Sequence, residues 1–123
     1  HMLLGILTLD ELETHPRVGA SWEGFLIEQL RRALRAHPDE LYFWRTEHGA
    51  ELDLLFLRGK RRTGFEFKRS TAPTMTASMH RALEDLKLDR LYVVHAGAAR
   101  FAMHARTEAL PWTKLLDVAA EVA

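Results

Sequence analysis

The period of the apolar positions changes along the chain, and each change marks an element. Over residues 22–36, Trp22, Phe25, Leu26, Leu30, Ala33 and Leu34 recur at helical spacing, which predicts a helix with one buried face. Ala36-His37-Pro38-Asp39 stops it, because a proline cannot continue the helix ladder. Leu41-Tyr42-Phe43-Trp44 is short and aromatic, the signature of a strand. Glu47-His48-Gly49 reads as a turn and residues 51–57 as a second strand. Arg58-Gly59-Lys60-Arg61-Arg62 reads as a basic hairpin tip, and residues 63–69 as a third strand. A loop from Ser70 to Thr74 then leads into a helix near 76–87, with Met79, Ala82, Leu83 and Leu86 inward and Met75 packed beside them. Leu91–His95 is a continuous apolar run of the kind found in parallel strands buried on both faces, with His95 a core histidine at its end. Gly97 turns the chain toward a weaker strand near 100–105, and Pro111 precedes a last helix over 112–121. Upstream, Thr8 and Glu11 form a capping-box pair for a short helix ending near His15-Pro16. Arg17–Ala20 is a link, and Ser21 is a cap for the helix over 22–36. Trp22, Phe25, Phe43 and Trp44 are assigned to the core rather than to base stacking.

The core order is therefore helix, three strands, helix, strand: an α/β domain with a central mixed sheet flanked by helices. A length of 123 residues, 47% hydrophobic and 28% charged, is that of one ordinary globular domain. Seventeen basic and seventeen acidic residues cancel, so any argument for an anionic partner rests on local clusters. The absence of cysteine removes disulfides and thiolate metal sites and fits a reducing compartment. No apolar run approaches the ~18 residues of a membrane span and no signal-peptide pattern is present, so the expectation is a cytoplasmic protein without membrane association. His1-Met2 reads as a cloning remnant. The domain then runs over 3–123, and its apolar opening Leu3-Leu4-Gly5-Ile6-Leu7 suggests a module excised from a longer protein.

Chemistry concentrates where the strand pattern breaks. Asp53 lies within Glu51–Leu57, and Glu66 within Gly64-Phe65-Glu66-Phe67-Lys68, at positions where a buried sheet should hold hydrophobes. Ionised carboxylates there cost several kcal/mol each unless paired, protonated or bound to a cation. A hairpin joins the two strands, so the carboxylates can converge, and Lys68 projects from the same face as Glu66. Such a set suits Mg²⁺ or Mn²⁺, which prefer oxygen ligands and retain water. Glu23, in the first turn of a helix, is a candidate outer ligand, although an acid there also complements the helix dipole. Candidate phosphate contacts are Arg45, Arg69 and Ser70 near the site and Lys60, Arg61 and Arg62 with Arg58 at the hairpin tip, where solvation alone is the plainer reading. Asp85-Leu86-Lys87 repeats the acid-x-lysine tripeptide on a helix, so the tripeptide by itself carries no weight. Without a metal, Asp53, Glu66 and Lys68 would form an internal ion-pair network. The histidines show no H-E-x-x-H spacing.

Taken with the element order, Asp53, Glu66 and Lys68 resemble the signature of the PD-(D/E)XK nuclease superfamily, and the whole resembles its restriction-endonuclease-like three-layer sandwich. Gly19–Phe25, Phe43–Thr46, Gly49–Asp53 and Phe65–Ser70 are similar to the C-terminal domain of archaeal-type AAA ATPases. The resemblance implies Asp53 and Glu66 as metal-binding acids, Lys68 and Glu23 as further catalytic residues, and Mg²⁺ or Mn²⁺ as cofactor. It also implies DNA as partner and an ATPase upstream in the longer chain. The signature's proline is missing before Asp53, where Ala50-Glu51-Leu52 stands, and no G-x-x-x-x-G-K-[ST] is present. Nuclease-like folds also serve as inactive modules that bind nucleic acid or protein, and a homodimer is compatible with the pattern.

Overall fold

The computed structural model describes residues 5–8, as backbone, and residues 22–123. In chain order the elements are β1 (Gly5–Thr8), α1 (Trp22–Leu34), β2 (Leu41–Arg45), β3 (Glu51–Arg58), β4 (Arg61–Lys68), α2 (Ala77–Asp85), β5 (Arg90–His95), β6 (Phe101–His104), β7 (Thr107–Pro111) and α3 (Leu115–Val122). The strands form one mixed sheet in the order β1-β2-β3-β4-β5-β7-β6. β1 to β4 are antiparallel neighbours, β5 is parallel to both β4 and β7, and β6 folds back on β7.

Two apolar layers fix this arrangement. On one face, Leu26, Leu30 and Leu34 of α1 and Val118 of α3 pack on Phe56, Phe65 and Val94. On the other, Met79, Ala82 and Leu83 of α2 pack on Leu55, Leu91 and Val93. The result is an α/β sandwich with a mixed sheet between helices, as the hydrophobic pattern predicts. β5 is buried along both faces, which is why its sequence reads as an unbroken apolar run. No helix among the described residues is long and apolar enough to cross a membrane.

Several expectations need correction. Phe25 and Ala33 do not join the core; Phe25 is 55% exposed, because the buried stripe of α1 runs through Leu26, Ile27, Leu30 and Leu34. The last helix starts at Leu115 rather than 112, after a tight 3₁₀ turn at Trp112–Lys114. β7 has no counterpart in the sequence reading. It is five residues long, with Glu108 inside it and Pro111 at its end, and it exists because β5 offers it a buried parallel edge. β1 is likewise new, pairing with β2 from Gly5↔Arg45 to Thr8↔Tyr42. The short helix after Thr8, the link and the Ser21 cap lie outside the described residues.

The β3–β4 turn is tighter than a five-residue basic tip. Arg58 pairs with Arg61, leaving Gly59-Lys60 as a two-residue loop, and Gly59 has φ +60°, the conformation that glycine-first hairpin turns require. Arg58 turns inward instead of reaching for solvent anions. Its guanidinium donates to both Glu40 oxygens at 2.9 Å and to the Leu34 carbonyl at 3.1 Å, tying the end of α1 to the sheet.

The segment after β4 is anchored by close packing to the end of β5. Ala96 N–H donates to the Ser70 carbonyl at 3.1 Å. His95 is fully buried and satisfied, with Nδ1 accepting from Gly97 N–H at 3.0 Å and Nε2 2.8 Å from the Ala99 carbonyl. A Cβ on Gly97 would stand 2.5 Å from the Thr71 carbonyl oxygen. Gly97→Ala is therefore expected to push this segment off the sheet and lower stability by about 1–3 kcal/mol in urea denaturation. A change within 0.5 kcal/mol, the usual range of a neutral surface substitution, would contradict that packing.

Candidate metal centre

The centre lies where two paired strands part. The β3–β4 ladder runs from Arg58↔Arg61 to Leu54↔Phe65 and stops there. Beyond that point β3 stays with β2 as far as Arg45↔Glu51, while β4 stays with β5 as far as Lys68↔His95. β3 also carries one extra residue at this place. Tyr42 pairs with Leu55 and Trp44 with Leu52, so two steps on β2 face three on β3, which is a β-bulge at Asp53-Leu54. The bulge shows in the packing, since Leu52 and Leu55 join one core layer and Leu54 the other.

At the fork, the two carboxylates replace the lost ladder partners. Asp53 N–H donates to Glu66 Oε1 at 3.2 Å, and Phe67 N–H donates to Asp53 Oδ2 at 2.8 Å. The convergence expected from the hairpin is therefore present, in a crossed form that also satisfies the strand amides. Each carboxylate keeps a second oxygen. Glu66 Oε2 is 3.6 Å from Lys68 Nζ, and Asp53 Oδ1 takes no hydrogen bond from the described residues.

Electrostatics make this a strained pair. Glu66 is only 7% exposed. Burial and the Asp53 charge push its carboxyl up to about 8, against the pull of Lys68 and the Asp53 amide. Burial likewise pushes Asp53 up to about 7, with Glu23 and Glu51 adding to the rise, while the Phe67 amide and Lys68 oppose it. Lys68 is too exposed, at 40%, to neutralise the buried Glu66 and the half-buried Asp53 together. A hard cation bound by the free oxygens would do so, and this donor set, all oxygen and partly open, fits Mg²⁺ or Mn²⁺. Among the described residues no group of three or more His, Asp or Glu side chains is placed to hold a metal, so the fit rests on the carboxylate pair.

The other predicted residues divide into near and far. Glu23 sits in the first turn of α1, close enough for its charge to act on Asp53. Arg69 lies with its guanidinium carbon 5.7 Å over the Trp22 ring, so the end of β4 meets the start of α1. Ser70 is exposed, its carbonyl holding Ala96. Arg45 ends β2 opposite Glu51, and its Nε is buried with no hydrogen-bond partner among the described residues. Lys60, Arg61 and Arg62 are not part of this site. They stand at the opposite end of the hairpin, about 17 Å along β3 at the usual strand rise. There Arg62 Nη1 holds the Leu86 carbonyl at 3.0 Å and Arg61 Nη1 reaches the Glu121 carbonyl at 3.5 Å.

One contact had no sequence signal. Ser78 Oγ accepts from Glu51 N–H at 2.8 Å and donates to the Glu51 carbonyl at 3.0 Å, across a separation of 27 residues. A serine in the first turn of a helix looks ordinary in sequence, and only the fold shows what it faces.

A family model described as a domain of unknown function, DUF4143, matches residues 18–115. The chain belongs to that family. The DUF4143 segment takes in Glu23, Asp53, Glu66, Lys68 and Ser78. Two similar proteins are the uncharacterized protein Mb2031c of Mycobacterium bovis and the uncharacterized protein Rv2008c of Mycobacterium tuberculosis. Each is 46% identical over 116 residues, which is 94% of this chain and 26% of the relative. The chain thus spans about a quarter of the length of the curated relatives it matches.

The raised carboxyl pair has a consequence for stability. In the unfolded chain these groups ionise near 3.8 and 4.5; in the folded chain they hold protons to about 7 and about 8. The folded state thus binds more protons across the interval, and stability falls as pH rises. In chelator, urea denaturation between pH 5 and pH 8 is expected to show that fall. The slope should flatten in Asp53→Asn/Glu66→Gln and in wild type with Mn²⁺. A flat wild-type profile in chelator would contradict the assignment.

Proposed function

We propose that this DUF4143 module is a metal-dependent nuclease domain that hydrolyses phosphodiester bonds in DNA. The observation that carries the reading is the pair of amide-oriented carboxylates at the β3–β4 fork, Glu66 buried and Asp53 half-buried, each with a second oxygen not taken by a strand amide. The order of strands and helices around that fork supports a restriction-endonuclease-like fold, and the Asp53, Glu66 and Lys68 pattern supports membership of the PD-(D/E)XK superfamily.

Asp53 and Glu66 would hold Mg²⁺ or Mn²⁺ through the oxygens not engaged by the strand amides. When bound, such an ion lowers the pKa of water and offsets charge developing on the phosphate. The residues of the chain supply the rest. The Phe67 and Asp53 amides fix the carboxylates, so little reorganisation is needed on loading. Lys68, at the exposed end of β4 and 3.6 Å from Glu66 Oε2, orients the scissile phosphate or the attacking water through Nζ. Glu23 faces the same place from α1 and can hold a proton of that water. Arg69, over Trp22 beyond the end of β4, and Arg45 at the end of β2 would contact the flanking phosphates.

Because the chain covers about a quarter of its curated relatives, the activity of the whole protein belongs to this proposal too. An ATPase module elsewhere in the longer chain would drive or gate the nuclease.

The test combines calorimetry with cleavage of plasmid DNA. Wild type is expected to take up Mn²⁺, Asp53→Ala to lose that uptake, and Lys68→Ala to remain folded while cleaving at least about 10²-fold more slowly. Salt-sensitive DNA binding without cleavage in either Mg²⁺ or Mn²⁺ would contradict hydrolysis and favour a nuclease-like binding module.

A further inference from the structure

We infer that Ser78 is a positioning residue for the carboxylate pair: its hydroxyl clamps the β3 arm of the fork and so sets where Asp53 presents its free oxygen. The inference rests on the reading of Asp53 and Glu66 as a cation site and adds a part of it that lies on another element.

Past Leu54↔Phe65 the β3–β4 ladder ends, and the β3 backbone groups on that edge bond to side chains instead. Asp53 N–H finds the Glu66 carboxylate. Two residues on, both polar groups of Glu51 find a single hydroxyl, Ser78 Oγ, at 2.8 and 3.0 Å. Ser78 is therefore acceptor and donor at once, which only a hydroxyl can manage in so small a side chain.

Its own position is firmly held. Thr76 caps α2 by accepting from Met79 N–H at 3.2 Å, and Met79, Ala82 and Leu83 fasten the helix to the sheet. The clamp thus links a rigid helix to the bulged strand that carries Asp53. The arm is paired with β2 at Leu52 and Glu51 on one edge, and on the edge toward β4 it is held by the ladder at Leu54 and by Ser78 at Glu51, with Asp53 at the bulge between them. Without the Ser78 anchor the β4-facing edge of the bulge is held at Leu54 and by the carboxylate bonds themselves, so the Asp53–Phe67 and Glu66–Asp53 hydrogen bonds loosen together. Groups that orient metal ligands in this way commonly change affinity by 10–100-fold when removed.

The test compares Ser78→Ala and Ser78→Thr with Thr76→Ala, which weakens α2 without touching Glu51. Metal-free hydrogen exchange at the Asp53 and Phe67 amides is measured against core amides such as that of Val93, and Mn²⁺ affinity is measured by calorimetry. Ser78→Ala is expected to speed exchange at both amides and to weaken Mn²⁺ binding by about tenfold or more. Ser78→Thr should restore both, while Thr76→Ala lowers the melting temperature and moves neither. Unchanged exchange and affinity in Ser78→Ala overturn the clamp and leave the cation reading standing. An equal effect from Thr76→Ala also overturns it, because helix stability alone would then explain the change. A wild-type chain that takes up no Mn²⁺ overturns the cation reading itself, and the positioning role with it.

Discussion

Two backbone amides donating to two carboxylates, Asp53 N–H to the buried Glu66 and Phe67 N–H to the half-buried Asp53, are the interaction on which the rest of the arrangement depends. A sheet whose inner strands separate must leave polar groups unpaired, and each buried one left so costs about 1–3 kcal/mol. Here the parting strands bridge the gap with their own acidic side chains. The solution satisfies the amides but brings two largely desolvated carboxyl groups together, and both are pushed well above their ordinary range. Backbone satisfaction and charge burial pull in opposite directions at one place, and a bound cation would resolve the conflict.

The surrounding fold serves that place. The bulge in β3 turns Asp53 out of the alternation that would send it to a core face, and parallel pairing with β5 carries β4 onward to Lys68. α1 brings Glu23 and Trp22 to the end of β4, and α2 brings Ser78 to the start of β3. The basic tip of the hairpin, by contrast, is occupied with tying down α1, α3 and the end of α2. Its charge serves the scaffold.

Much of this was legible in the sequence because periodicity reports burial. The amphipathic stripe of α2, the apolar run of β5 and the hairpin between residues 51 and 69 follow directly from where hydrophobes fall. Asp53 and Glu66 stood out for the same reason, as acids set among hydrophobes. What escaped was whatever depends on a distant partner. β7 is short, carries Glu108 and ends in proline, so its pattern is weak until β5 supplies an edge. Phe25 falls outside the buried stripe of α1 because one aromatic at helical spacing can lie on either side of that stripe. The bulge at Asp53-Leu54 and the Ser78 clamp leave no local trace, since each is defined by what lies across the sheet.

The most direct measurement is a carboxyl-carbon NMR titration of Asp53 and Glu66 from pH 4 to pH 9, without and with Mg²⁺. The account predicts upward-shifted midpoints in the metal-free protein, near those of a pair protonated to about 7 and about 8, and a clear fall when Mg²⁺ is added. Midpoints in the ordinary carboxylate range, or raised midpoints that Mg²⁺ leaves in place, would contradict a cation site at the fork.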